Sequence, residues 1–240
     1  MDFDQWLISR LRYHGAYDGV TDSVHGRAVI NAIERFQRAQ GIRISGVADD
    51  ATVAALRADT LTGKIGDKAA PAIPREPVWV REARRFMGLK EISGPKYEPT
   101  IVDWAKRFGG WIAKFYVDDD IPWCGLFVGH VVAVTLPREK LPANVLGALQ
   151  WAKFGRELNA PAPGAILVFK RAGGGHVGFY IGETSTHYIV LGGNQNNSVS
   201  ITRIEKKRLV NGGIRWPTTG EQPGLSRVLA SSAPITTDEA

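Results

Sequence analysis

Ile121-Pro122-Trp123-Cys124-Gly125-Leu126-Phe127-Val128-Gly129-His130 holds the only cysteine in 240 residues. Three acids, Asp118, Asp119 and Asp120, lie just upstream, and an apolar run from Leu126 to Leu136 lies just downstream. The run reads as a buried helix. Pro122 suits its entry, because the first turn of a helix leaves N–H groups unpaired and proline has none to lose. A thiol where an acidic loop becomes a helix sits in the positive end of the helix dipole. That field favours thiolate over thiol, and the thiolate is the nucleophile. A lone cysteine is otherwise a small buried hydrophobe. A catalytic role therefore requires a base and an orienting group further along the chain.

The chain has five histidines: His14, His25, His130, His176 and His187. The first two lie in a separate N-terminal segment. His130 follows Cys124 by about 600° of helical rotation, which turns it about 120° away and predicts a core or surface role. His187 falls in a Thr-Ser-Thr-His hairpin loop. His176 opens a strand directly after Gly173-Gly174-Gly175, where missing side chains let backbone and substrate approach closely. Along that strand Val177, Phe179 and Ile181 share one face, and His176, Gly178 and Tyr180 share the other. Pairing Ile189 and Leu191 with the first set, around a turn near Ser185, brings Asn194 opposite His176. Its side-chain oxygen can accept the imidazole N–H, fix the tautomer and leave the other nitrogen for the thiol. A register one residue different would put Gln195 there instead. The expected constellation is Cys124 as nucleophile, His176 as base and Asn194 as third member. The expected substrate contacts are Trp123, Asp120, Gly175 and Gln195. Trp104, Trp111 and Trp216 can line a groove or fill a core. The Asp118–Asp120 run can be a solvated turn, or can hold a cation or a substrate amine. One cysteine, scattered histidines and no His-Glu-x-x-His motif make no zinc pattern, so no metal or cofactor is expected.

The rest of the chain reads as two domains, a length of 240 residues allowing one large or two small ones. Residues 1–57 carry Trp6, Leu7, Leu11 and then Val29, Ile30, Ile33, Phe36 at helical spacing. A turn at Tyr17-Asp18-Gly19-Val20 separates two helices, and Asp49 or Asp50 caps a third that runs through Leu56. Residues 58–77, punctuated by Gly63, Gly66, Pro71, Pro74 and Pro77, read as a linker. Residues 78–217 begin with helices, one ending at Gly88 and one over about 99–107. They end in strands at 165–169, 177–181, 188–191, 198–202 and 213–216, an order that argues α+β with an antiparallel sheet. Residues 218–240 read as a flexible tail. A hydrophobic content of 44% and seven tryptophans suffice for a core. The single cysteine excludes a disulfide framework. Met1–Trp6 has no apolar signal-peptide core, and no apolar run is long enough to span a bilayer. Net charge is +6. A basic surface favours polyanions, whether nucleic acid, anionic lipid or an acidic cell-wall polymer, but there is no dense Lys/Arg run, and charge alone reads as a plain soluble basic protein.

Two resemblances sharpen this picture. Leu7-x-x-x-Leu11, Gly15-x-Tyr17-Asp18-Gly19, Ala32-Ile33-x-x-Phe36-Gln37, Gly41-Ile42 and Gly46-Val47-Ala48-Asp49-x-x-Thr52 resemble the three-helix peptidoglycan-binding domain. The family's Gly-x-Phe-Gly turn is replaced here by Val20-Thr21-Asp22-Ser23. Asp119-Asp120-Ile121-Pro122-Trp123-Cys124-Gly125-Leu126-Phe127-Val128, Pro163–Phe169, Gly175–Gly182 and Leu191-Gly192-Gly193-Asn194-Gln195 resemble the phage-associated cysteine peptidases of the CHAP and NlpC-like superfamily. Relatives usually have Gly-Asp where Gly164-Ala165 stands. The second resemblance implies a papain-like α+β core and hydrolysis of a peptidoglycan amide by Cys124, His176 and Asn194. Together the two imply an endolysin, a bacteriolytic hydrolase of bacteriophage origin. It would be a monomer without nucleic-acid or membrane partners, held in the host cytoplasm until a holin gives it access to the wall. A secreted antibacterial amidase and a non-catalytic wall-binding virion component are the alternative expectations.

Overall fold

The computed structural model describes residues 3–17, 27–58, 76–92, 94, 96–220 and 223. The chain divides into two units, Met1–Gly88 and Leu89–Ala240. The centre of the expected Tyr17–Val20 turn, most of the 58–77 linker, Ser93, Pro95 and nearly all of the 218–240 tail lie outside the described residues.

The first unit holds α1 (Phe3–Tyr13), α2 (Arg27–Ala39), α3 (Asp50–Arg57) and α4 (Val78–Arg84). Val29, Ala32, Ile33 and Phe36 follow the i, i+3, i+4, i+7 spacing of one helix face. They join Trp6, Leu7, Leu11 and Leu56 in a buried cluster. Asp49 caps α3, accepting from the Thr52 N–H at 2.8 Å and the Thr52 hydroxyl at 2.7 Å. The buried Gln37 side chain organises the loop before that cap. Its oxygen accepts from the N–H groups of Ser45 (2.8 Å) and Gly46 (2.9 Å), and its nitrogen donates to the Val47 carbonyl (2.8 Å). The sequence starts a second domain at residue 78, but α4 groups with the first unit. The buried Arg84 guanidinium donates to both carboxylate oxygens of Glu76 (2.8 and 2.7 Å) and to Asp4 of α1 (2.8 Å). Charges taken out of water are held where their counter-charges are.

The second unit combines helices with a six-stranded antiparallel sheet, the α+β class expected from the sequence. Its helices are α5 (Pro99–Phe108), α6 (Gly110–Phe115) and α7 (Cys124–Thr135), followed by a 3-10 helix at Ala148–Lys153. The strands are β1 (Arg156–Glu157), β2 (Ile166–Arg171), β3 (Gly174–Glu183), β4 (His187–Gly192), β5 (Ser200–Glu205) and β6 (Leu209–Trp216), in the order β1-β6-β2-β3-β4-β5. The sequence gives no sign of α6 or β1. The first buries only Ile112 and begins at the second of two adjacent glycines, and the second is a pair of exposed charged residues. Proline in the first turn and a Glu98 cap on the Thr100 N–H start α5. Among the described residues no helix is long and apolar enough to cross a membrane.

Helix α7 is the centre of this unit. Every residue from Cys124 to Val132 is buried, so it reads as continuously apolar rather than amphipathic. It packs on β3 and β4, with Phe127 edge-on to Phe179 at 6.2 Å. Its first turn meets the backbone of residues 145–146. A Cβ on Gly125 would run into the Val145 carbonyl oxygen and come within 2.8 Å of that of Leu146. Backbone atoms cannot yield as a side-chain tip can, so overpacking here moves the whole turn. Gly125→Ala is therefore expected to lower stability by about 1–3 kcal/mol, read as a reduced midpoint in urea unfolding.

Candidate functional site

The start of α7 places Cys124 at a cleft of about 370 Å³. The cleft is lined on one side by the 144–150 segment and on the other by Arg171 and Gly173–Gly175 of the β2–β3 hairpin. The loop before Cys124 is held by Tyr116, whose hydroxyl donates to the Ile121 carbonyl at 3.0 Å. Cys124 is 2% exposed, and the backbone N–H groups of Val177 and Gly125 are directed at its sulfur. The first of these donors belongs to the residue that follows His176. The thiol thus lies against β3 beside the expected base.

Burial pushes the Cys124 thiol up from its ordinary value. The Val177 and Gly125 N–H groups and the positive charge of Arg171 pull the other way without overcoming it. The sequence led us to expect a helix field that favours thiolate. In the closed site that field is outweighed, because desolvation penalises the charged form.

His176 is wholly buried, and its ring stacks on Phe169, its direct partner across the β2–β3 ladder, at 6.4 Å. Its Nε2 lies 3.2 Å from Oε1 of Gln195. The Gln195 nitrogen donates to the carbonyl oxygens of Ser200 (2.6 Å), Gly192 (3.3 Å) and Val190 (3.4 Å). Three acceptors around one amide nitrogen leave no choice of flip, so the amide oxygen faces the ring. The imidazole then carries its proton on Nε2, and Nδ1 is the basic nitrogen. A Cβ on Gly192 would lie 3.0 Å from the Gln195 oxygen and 3.2 Å from His176 Nε2, so a side chain there would require this pair to shift by a few tenths of an ångström.

The expected third member, Asn194, is corrected to Gln195. The Phe179↔Leu191 register, carried straight on, does bring residue 194 opposite His176. However, β4 ends at Gly192, and Asn194 takes a left-handed φ of 57°. The ladder's alternation stops there, and the chain bends so that the next side chain meets the ring. Gln195, expected as a substrate contact, is buried against the His176 ring and does not line the cleft.

The other expected contacts divide. Gly175 lines the cleft, but Trp123 does not. Trp123 is fully buried and donates its indole N–H to Glu91 at 2.9 Å, which makes it a core residue. Asp120 is exposed and lies outside the cleft lining. Its neighbour Asp119 is buried and accepts from the N–H groups of Ile92 (3.0 Å) and Glu98 (2.7 Å), which ties two loops together. Trp104 and Trp216 are buried, while Trp111 is 48% exposed. His130 is buried and stacks on Trp104 at 5.0 Å, the core one of the two roles expected of it. Arg171 and the 144–150 wall were not foreseen. Arg171 follows Lys170 at the end of a strand whose first four residues are apolar, and the wall residues carry no motif.

A raised thiol pKa means less thiolate at neutral pH than in an ordinary cysteine. Alkylation of Cys124 by iodoacetamide at pH 7 is expected to be slower in the native protein than in the urea-unfolded chain. The native rate should still be climbing with pH after the unfolded chain has levelled off.

No match to the chain was found among curated proteins or among solved structures. Residues 4–56 match a family model described as "Putative peptidoglycan binding domain". The match falls on α1, α2 and α3, and identifies the N-terminal helical module as a peptidoglycan-binding domain, with peptidoglycan as its partner.

Proposed function

We propose that the second unit is a cysteine hydrolase that cleaves an amide bond in the peptide of the bacterial cell wall, and that the first unit holds it there. The observation that carries this reading is the arrangement at the cleft. The Cys124 sulfur takes the Val177 N–H, and the preceding residue, His176, is oriented through Nε2 by Gln195. The arrangement supports a papain-like reading, with glutamine in the orienting position.

In the proposed reaction, Nδ1 of His176 takes the thiol proton as the Cys124 sulfur adds to the substrate carbonyl carbon. Transfer of the proton as the bond forms avoids isolating a buried thiolate. Backbone N–H groups of the first α7 turn stabilise the oxyanion. The tetrahedral adduct collapses, the C–N bond breaks, and the amine leaves with the proton from His176. Water, deprotonated by the same nitrogen, then converts the thioester to a carboxylate and restores the thiol. Cleavage next to the sugar's lactyl group would make the protein an amidase, and cleavage within the peptide an endopeptidase. A wall-binding module joined to such a unit resembles a phage endolysin, which acts from the host cytoplasm after holin-mediated release. The deep burial of Cys124 favours one competing reading, a unit that binds wall without cutting it.

Digestion of purified peptidoglycan, followed by mass spectrometry, separates these readings. The intact chain should release peptide fragments and Cys124→Ala should release none. Equal cutting by both, or new reducing sugars, would exclude the cysteine mechanism. Wall binding by both with no cutting by either would establish the binding protein.

The assignment of the third member has its own test. Gln195→Ala should lower kcat by roughly 10- to 100-fold, a part of the roughly 10²–10⁴ that a positioned acid–base group supplies. Asn194→Gly, which keeps the left-handed turn, should stay close to the unaltered rate. The reverse pattern would restore Asn194.

A further inference from the structure

Eight large hydrophobic side chains are exposed among the described residues, and five of them belong to one stretch of the second unit: Ile92, Tyr97, Trp111, Phe115 and Val117. The fold gathers these five. Trp111 and Phe115 lie one turn apart on α6, with ring centroids 6.2 Å from each other. Helix α6 buries only Ile112, so these rings face outward. Val117 stands two residues beyond Phe115. Two residues further on, the buried Asp119 carboxylate accepts from the Ile92 N–H at 3.0 Å and the Glu98 N–H at 2.7 Å. Those bonds bring Ile92 and Tyr97 beside the stretch that leaves α6. Hydrophobic side chains exposed singly need no explanation, but a set gathered in this way marks a contact surface.

The charges beside the rings narrow the kind of contact. Lys96 and Lys114 are exposed cations, and Asp118 and Asp120 are the acids that follow Val117, so the two signs balance. An anionic bilayer selects an excess of Lys and Arg, on an amphipathic helix longer than the six residues of α6. Nucleic acid selects the same excess of cations. A neutral polymer with apolar ring faces and polar edges matches both halves of this surface. Aromatic rings take its C–H faces, and side chains of either sign take its hydroxyl and acetamido groups. The glycan of peptidoglycan is such a polymer, and peptidoglycan is the partner of the first unit. The surface also leads to the cleft. From α6 the chain passes Tyr116, whose hydroxyl holds the Ile121 carbonyl, and reaches Pro122 and Cys124 in the cleft lining.

We propose that the outward face of α6 is a second wall-binding site of this chain, where Tyr97, Trp111 and Phe115 stack on N-acetylated sugars of the glycan strand. The site goes beyond the hydrolase proposed above, because it rests on the wall as partner and not on Cys124. A strand lying there would carry its peptides past the segment that leads to Cys124. Two attachments on one chain hold a polymer more tightly than either does alone.

The test uses the full chain carrying Cys124→Ala and the N-acetylglucosamine hexasaccharide as probe. On titration the Trp111 indole N–H signal, identified by its loss in Trp111→Phe, should shift in the NMR spectrum. Adding Trp111→Ala and Phe115→Ala together should weaken binding at this site at least about 10-fold, the cost of truncating rings at the centre of a contact. Trp111→Phe with Phe115→Tyr, which keeps two rings, should recover part of it. With Cys124 restored, the double alanine variant should show a higher KM on intact wall rather than a lower kcat. An unmoved Trp111 signal, or hexasaccharide binding unchanged by the double substitution, would overturn the assignment. Sedimentation with phosphatidylglycerol vesicles, abolished by the double substitution, would give the face to a bilayer and overturn it too. So would self-association abolished in the same way, which would give the face to a second copy of the chain. Saccharide binding at Trp111 without wall cleavage by the intact chain would uphold the site and overturn the hydrolase, and cleavage with an unmoved Trp111 signal would do the reverse.

Discussion

The second unit depends on one close approach, the first turn of α7 against the backbone of residues 145–146. Gly125 has no side chain, and the carbonyls of Val145 and Leu146 occupy the space that one would need. That contact fixes how far the helix start advances toward the sheet. It therefore fixes where the Cys124 sulfur meets the Val177 N–H. The same 144–150 segment forms one wall of the cleft, so the contact that seats the helix also shapes the opening beside it. Trp151 holds the segment by donating its indole N–H to the Val145 carbonyl at 3.0 Å.

Burial sets the chemistry available at this point. The helix dipole and two N–H groups favour a charged sulfur, but removal from water costs more, and the thiol stays protonated above its ordinary range. For the proposed hydrolase, a buried thiol of this kind suits a base that receives the proton during attack. The Gln195 amide, locked by three carbonyls, would give His176 the tautomer for that role. The orientation of one side chain is passed through a second to a third, and each step is a hydrogen bond with a single workable direction.

The two units solve the problem of buried polarity in different ways. In the first, Gln37 satisfies a loop and Arg84 is enclosed by Glu76 and Asp4. In the second, Asp119 and Glu91 brace the loops around the site, while Arg171 remains at the cleft without such a partner. Residues 4–56 of the first unit match a peptidoglycan-binding family, which makes attachment to the wall part of the proposed function. Attachment there would raise the effective concentration of substrate for the proposed hydrolase.

Much of this was legible from the residues alone. Helical spacing marked α1 and α2, the Asp49 cap marked α3, and the change to alternating apolar residues marked the sheet, because these signals arise from local geometry. The lone cysteine at a helix start and the histidine after three glycines were legible for the same reason. Long-range packing decided the rest. Asn194 and Gln195 differ by one position, and strand alternation cannot choose between them once the strand ends; the left-handed turn at Asn194 made the choice. Trp123 looked like a groove residue because it is adjacent to Cys124 in sequence, yet its indole turns to Glu91 and the core. The place of α4 followed from an ion pair spanning 80 residues, between Asp4 and Arg84. The sequence by itself determined which residues could carry the chemistry. The tertiary structure decided which of them meet, because burial and hydrogen-bond direction depend on neighbours that are distant in the chain.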